Sequence, residues 1–346
     1  MKVLVTGGLG GIGRHLCKML LEAGIDVTIY HRFPTRSLKY AWWFPRKRIV
    51  WGDIKDIGTK KDLLAEQDAV IHLAFLLPPD TEDHPEKSRK VNVNATETLI
   101  RTLEEVNPNC RLIFTSSVMA YGITKDEVPP ITVDHPLNPE LQYSHHKAEC
   151  EEIIRASSLP WVLLRIAEAP YLEVTPTPRH LKQLFAIPWD QRVEFVHIDD
   201  VALALKNALY TEQIRDTYII AGGERCQMTM YDQIVPLFKI FHLPPPPKHK
   251  FSLINYPLDW YDTKHSQAVL LYQNKSFEQY AADVKKTLGW KTKFFWLVSP
   301  FARLYLRWSP PAMDRVGAKP ETAKIIEEKN ESSGSLKPVS IPLARV

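Results

Sequence analysis

The chain of 346 residues is 45% apolar and 24% charged, the proportions of a globular protein with a large core, which excludes disordered and fibrous classes. Its formal charge of +4 comes from scattered Lys and Arg with small clusters such as Arg46–Arg48, so nucleic acid is not expected as a partner, and an anionic cofactor accounts for the excess. Cys17, Cys110, Cys150 and Cys226 stand far apart without a CxxC pair, which argues against a disulfide framework or a zinc site and fits a reducing cytoplasm.

MKVLVTGG begins directly with a strand and lacks the charged start, apolar middle and cleavage site of a secretion signal. No stretch reaches the roughly 18 uninterrupted apolar residues of a membrane span. KVLVT is a β-branched run, GGLGGIG a loop, and RHLCKMLLEAG has helical periodicity ending at Gly24. DVTIYHR, KRIVWGDI (47–54) and AVIHLAF read as further strands, VNVNATETLIRTLEEV as a helix, RLIFTSS as a strand, and the segment carrying Tyr143 as a helix. This alternation predicts right-handed crossovers and an α/β fold with a doubly wound parallel sheet.

After WVLLRI (161–166) the rhythm breaks into a proline-rich segment, then resumes with VEFVHIDD, VALALKNALY and TYIIAGG. MYDQIVPLFKIF reads as a helix and Pro244–Pro247 as a stiff connector. The expected organisation is a Rossmann domain over 1–166 completed by 193–223, a smaller substrate lobe from 167–192 and 224–313, and a disordered tail over 314–346.

Gly7, Gly10 and Gly13 have GxxGxxG spacing between a strand and a helix, with Gly11 and Ile12 inside the loop. Such glycines allow the tight turn, the approach of backbone to a pyrophosphate and close helix packing, while the helix N-terminus offers N–H groups to the phosphates. An acid at the end of the second strand would bind a ribose 2′-OH. Here His31 and Arg32 stand there, with Arg36 behind, so the reading leans to NADP over NAD.

Tyr143 and Lys147 lie four apart, on one helical face. A phenol with an ordinary pKa near 10 needs a nearby cation to shuttle protons at neutral pH, and Lys147 is the expected source. The preceding strand ends in Ser116 and Ser117, at the crevice where this fold places chemistry. His145 and His146 fall on other faces and read as surface or packing residues.

TGGLGGIG, WGDI, IHLAF, VNVNATETL, FTSSVMAYG, YSHHK, LLRI and FVHIDDVA follow one another in an order that resembles the extended short-chain dehydrogenase/reductases of the NAD-dependent epimerase/dehydratase family. The resemblance implies Tyr143 as acid/base, Lys147 also on the nicotinamide ribose, and Ser117 on the substrate oxygen. It further implies Asp53 and Ile54 at the adenine, Leu73 and Ala74 along the middle of the cofactor, and Asn92 as the family's helix asparagine, for which a structural reading stands alongside. Homodimers are common in such a family.

Nucleotide-sugar enzymes of this type carry a long, basic segment where this chain has only Ala167–Val196, with Arg179, Lys182 and Arg192, and EAPYLE replaces the usual aromatic-glycine turn. With Leu76, Leu77, Pro78 and Pro79 as an apolar wall, the expected substrate is a small apolar alcohol or ketone, interconverted by hydride transfer. A sugar epimerase or dehydratase with retained cofactor is the alternative. Residues 293–311 are apolar and aromatic with Arg303 and Arg307, a pattern read either as an interfacial membrane helix or as part of the lobe's core.

Overall fold

The computed structural model describes residues 1–33, 36–173 and 177–308. The expected tail, 314–346, and the last residues of the 293–311 segment lie outside the described residues. In chain order the main elements are β1 (Lys2–Thr6), α1 (Gly11–Glu22), β2 (Asp26–His31), β3 (Ile49–Trp51), β4 (Ala69–His72), α2 (Ala95–Val106), β5 (Arg111–Ser117), α3 (Gln142–Ala156) and β6 (Trp161–Ile166). There follow α4 (Pro178–Phe185), β7 (Arg192–Glu194), α5 (Ile198–Asn207), β8 (Asp216–Ile220), β9 (Gln227–Thr229), α6 (Met230–Ile240), α7 (Phe277–Leu288) and α8 (Phe295–Trp308), with shorter helical turns between.

Among the described residues, seven strands form one sheet in the order β3-β2-β1-β4-β5-β6-β8, parallel throughout. Strand side chains alternate between faces, and both faces are covered, so the central strands carry continuous apolar runs, Val3–Val5, Ala69–Ile71, Leu112–Phe114 and Trp161–Leu164. Val3 and Val5 of β1 pack with Leu16, Cys17 and Leu20 of α1 and with Val201 and Leu205 of α5. Leu4, between them, packs on the opposite face with Leu99 and Leu103 of α2 and Cys150 and Ile154 of α3. The doubly wound expectation therefore holds. Its switch point lies between β1 and β4, where the order reverses and a crevice opens at the strands' carboxyl ends.

Several elements differ from the sequence reading. VEFVHIDD does not return to the large sheet: only Arg192–Glu194 is a strand, and it pairs antiparallel with β9 in a separate ribbon. Buried Glu194 explains the anchorage, because its carboxylate accepts from the backbone N–H groups of Gly223 and Tyr261 and from the Gln227 amide. β4 stops at His72, since the N–H groups of Leu73 and Ala74 turn toward the Thr6 hydroxyl. β3 is confined to three residues. A small second core, Phe195, Cys226, Phe277, Tyr280 and Val284, joins β9 and α7 in the C-terminal lobe.

Candidate active site

The loop after β1 is shaped by close approach. Gly7 has a φ of +71°, and a Cβ there would come within 2.9 Å of the Ala74 nitrogen. At Gly13 a Cβ would lie 2.6 Å from the Gly7 carbonyl, so only hydrogen at this position lets α1 seat on the loop. No side chain caps α1 and no acid stands in its first turn, which leaves its positive end directed at the cavity lined by Gly10, Gly11 and Ile12.

That cavity has a volume of about 590 Å³. Gly7, Gly10, Gly11, Ile12, Gly13, Arg32, Asp53, Ile54, Leu73 and Ala74 line it together with Ser117, Tyr143 and Lys147. Its remaining wall includes Phe75, Leu76, Leu77, Pro78, Met119, Tyr171, Gln183 and Tyr256. Asn92 stands behind the lining: its side-chain oxygen accepts from the Leu76 N–H at 2.7 Å and its amide donates to the Leu76 carbonyl at 3.1 Å, so it shapes the wall. Asp53 caps a short turn by accepting from the Lys55 N–H at 3.0 Å.

Tyr143 sits in the first turn of α3, whose N-terminal N–H groups of Gln142 and Tyr143 donate to the Glu82 carboxylate at 3.0 and 3.1 Å. Ser117 is the neighbouring hydroxyl that acts on its phenol, and the Ser117 Oγ accepts from the Met119 N–H at 3.2 Å. Burial pushes the phenol well above its ordinary pKa, and the nearby Ser117 hydroxyl opposes this only in part.

Lys147 departs from the simple expectation. Its ammonium donates to the Thr115 carbonyl at 2.5 Å and lies 3.5 Å from the Phe75 ring centroid, 4.6 Å from that of Phe114 and 5.7 Å from that of Tyr143. Burial lowers its pKa to about 7. Lysine and tyrosine share the cavity, but burial rather than the ammonium sets the phenol's acidity here.

Ser116 faces away from this pair. Its hydroxyl donates to buried Glu151 at 2.5 Å, and Glu151 receives Arg165 through two nitrogens at 3.0 and 2.7 Å. His146 is buried against Asn92 at 3.4 Å and His145 is exposed, in keeping with packing and surface roles. On the substrate side, Arg192 is occupied by Asp259 at 2.5 and 2.8 Å, Lys182 is exposed, and the Arg179 side chain is outside the described residues. Elsewhere among the described residues His197, Asp199 and Asp283 converge, with the Lys275 ammonium 2.9 and 2.7 Å from the two carboxylates.

Sequence pattern does not mark Phe75, Glu82, Tyr171, Gln183 or Tyr256 as site residues. Phe75 and Tyr171 fall within IHLAF and EAPYLE, whereas Tyr256 comes from an irregular loop whose sequence carries no signal of its destination.

Residues 3–169 match the family model described as NAD dependent epimerase/dehydratase family. The match covers just under half of the chain, and over these residues the chain is similar to that family. Curated relatives include a UDP-glucose 4-epimerase from Lactobacillus helveticus, 34% identical over 48% of this chain and 51% of the relative. A D-erythronate dehydrogenase from Cupriavidus necator is 30% identical over 51% of this chain and 56% of the relative. The match thus spans about half the length of these two family members. A solved structure titled as the Thermus thermophilus UDP-glucose 4-epimerase complex with NAD shares the fold, with a TM-score of 0.68, 20% identity, and coverage of 84% of this chain and 100% of that one.

Proposed function

We propose that this chain is a nicotinamide-dinucleotide-dependent oxidoreductase that interconverts a secondary alcohol and a ketone on a small, weakly polar substrate. The reading rests on one observation: the uncapped glycine loop, Ser117, Tyr143 and Lys147 line a single cavity. The close-packed glycines and the uncapped N-terminus of α1 suit a diphosphate, with Asp53 and Ile54 toward the adenine and Leu73 and Ala74 along the middle. Bound there, a nicotinamide supplies hydride chemistry at the substrate carbon. Tyr143 exchanges the proton at the substrate oxygen, and Ser117 holds that oxygen in line. As a buried neutral phenol, Tyr143 is in the form that gives a proton, which suits ketone reduction. The oxidative direction needs a cation brought closer than Lys147 now lies.

The substrate class follows from charge. Among the described lining residues the cations are Arg32, at the end of β2, and Lys147; neither leaves a second diphosphate grip near Tyr171 and Tyr256, and Arg192 is held by Asp259. A second reading, an epimerase or dehydratase with retained cofactor, is supported by the name of the Lactobacillus helveticus relative. NAD is the dinucleotide of the family description and of the Thermus thermophilus structure's title. Arg32 is the feature that favours NADP, because a guanidinium accepts a 2′-phosphate.

Fluorescence titration with both reduced dinucleotides, followed by turnover of ketones and alcohols read by nicotinamide absorbance, tests all of this. Tyr143→Phe is expected to lower turnover about 10³-fold while dinucleotide affinity changes less than about twofold; persistent activity removes the acid/base assignment. Arg32→Ala is expected to weaken NADPH without weakening NADH. Turnover of a sugar nucleotide with no net change in free dinucleotide would establish the second reading.

A further inference from the structure

Helix α8 carries its apolar surface on the wrong side for a globular protein. Phe295, Ser299, Ala302 and Leu306 follow helical spacing on the face that meets the body. Leu306 is buried there, the Phe295 ring lies 4.9 Å from Phe241, and Arg303 fixes the helix through a 3.1 Å bond to the His242 carbonyl. That contact uses a narrow stripe. The outward face holds Trp296 at 60% exposure, Phe301 at 74%, Leu304 at 55% and Trp308 at 78%, and the preceding turn adds Trp290 at 69%. Single exposed apolar residues are ordinary; a contiguous aromatic run of this kind marks an interaction surface.

Charge identifies the partner. From Val284 to Trp308 the sequence contains no Asp or Glu but six cations, Lys285, Lys286, Lys291, Lys293, Arg303 and Arg307. Tryptophans at a helix surface interleaved with Lys and Arg suit the boundary between headgroups and acyl chains, where rings enter the apolar layer and cations meet anionic lipid. No described helix is long and apolar enough to cross a membrane, and α8, at 14 residues, is suited to lie along one. A second copy of this chain fits poorly, since a two-fold pair through this face would set six cations against six.

We propose that α8 and the turn before it form a peripheral docking surface for an anionic lipid bilayer, with Trp290, Trp296, Phe301 and Trp308 inserted at the interface and the flanking lysines and arginines on the headgroups. The surface is independent of the reaction assigned to the cavity.

Sedimentation of the full chain with phosphatidylcholine vesicles, with and without phosphatidylglycerol, tests the proposal. At low salt the anionic vesicles are expected to carry down at least about tenfold more protein, with a blue shift of tryptophan emission, and added salt should reverse the binding. The exposed double variant Phe301→Asp, Leu304→Asp should abolish sedimentation, and Lys291→Glu with Arg307→Glu should remove the preference for anionic lipid; unchanged dinucleotide titration and melting show that both variants are folded. Failure of the full chain to sediment, binding indifferent to headgroup charge, or a self-associated species that the Phe301→Asp, Leu304→Asp variant dissolves while vesicles are ignored would each overturn the assignment.

Discussion

The Lys147 ammonium lies 3.5 Å from the centre of the Phe75 ring and is bonded to the Thr115 carbonyl, so in this state its charge is satisfied by an aromatic face and a peptide rather than by the Tyr143 oxygen. The buried position has a measurable consequence. The folded-state pKa is about 7, below the free value of 10.5. Below the lower value both folded and unfolded chains carry the proton and the native state bears the full desolvation cost. Between the two values the unfolded chain binds more protons, so stability rises with pH.

Lys147→Met, which keeps the length and removes the charge, is therefore expected to stabilise the dinucleotide-free protein by about 1–3 kcal/mol near pH 6. The gain should shrink as pH approaches about 10, where the native lysine is neutral. Urea unfolding at the two pH values decides this, and a gain indifferent to pH would show that the ring and the carbonyl fully offset burial.

Ser117 and Ser116 are neighbours with different duties. Ser117 stands beside the Tyr143 phenol and lines the cavity with it, whereas Ser116 donates into the Glu151–Arg165 pair. Ser117→Ala is expected to reduce kcat by about 10²-fold with little change in melting, because in the proposed reaction Ser117 holds the reacting oxygen. Ser116→Ala should cost about 1–2 kcal/mol of stability and leave kcat within a factor of a few. Reversed effects would exchange the two assignments.

Glu151 and Arg165 are a buried ion pair joining α3 to β6, at 1% and 5% side-chain exposure. Burial alone would raise the Glu151 carboxyl, but the bonds and charge of Arg165, with Ser116 and Arg155, bring it below the ordinary value. The pair's contribution is thus present above the unfolded carboxylate pKa and is lost as pH falls through the lower folded value. Glu151→Gln should destabilise by about 3–5 kcal/mol by leaving Arg165 unpaired, while Glu151→Leu with Arg165→Met should cost much less. Chemical unfolding of the single and double variants separates the two outcomes.

Local pattern made most of this architecture legible. β1, β5 and β6 show continuous apolar runs because both sheet faces are covered, and the glycine loop shows itself because its close approaches exclude any side chain at Gly7 and Gly13. What sequence did not show depends on distant partners. Whether Arg192 is free to meet a substrate depends on Asp259, 67 residues on, which accepts from it. Glu82 caps α3 from another segment, and β7 leaves the large sheet because its buried carboxylate is satisfied in the lobe. Such contacts have no period to detect.

Tyr171 leads to the last expectation. Its ring lies directly over Gly11, so that a Cβ built on the glycine would overlap it, and Glu173 pairs with the nearly buried Arg14 just behind. The Arg14 guanidinium also stands 5.8 Å from the Tyr171 ring centroid, so the segment after β6 is latched onto the start of α1. A diphosphate seated on that helix end, as proposed, must shift the ring before it reaches the N–H groups. Tyr171→Ala should therefore speed dinucleotide association by about tenfold, an acceleration of the kind expected when binding no longer waits on a conformational step. Glu173→Gln, which weakens the latch without opening space, should give a smaller increase. Stopped-flow fluorescence with NADH and NADPH measures both, and association slower in Tyr171→Ala than in the parent would mean that the ring receives the dinucleotide rather than screening the loop.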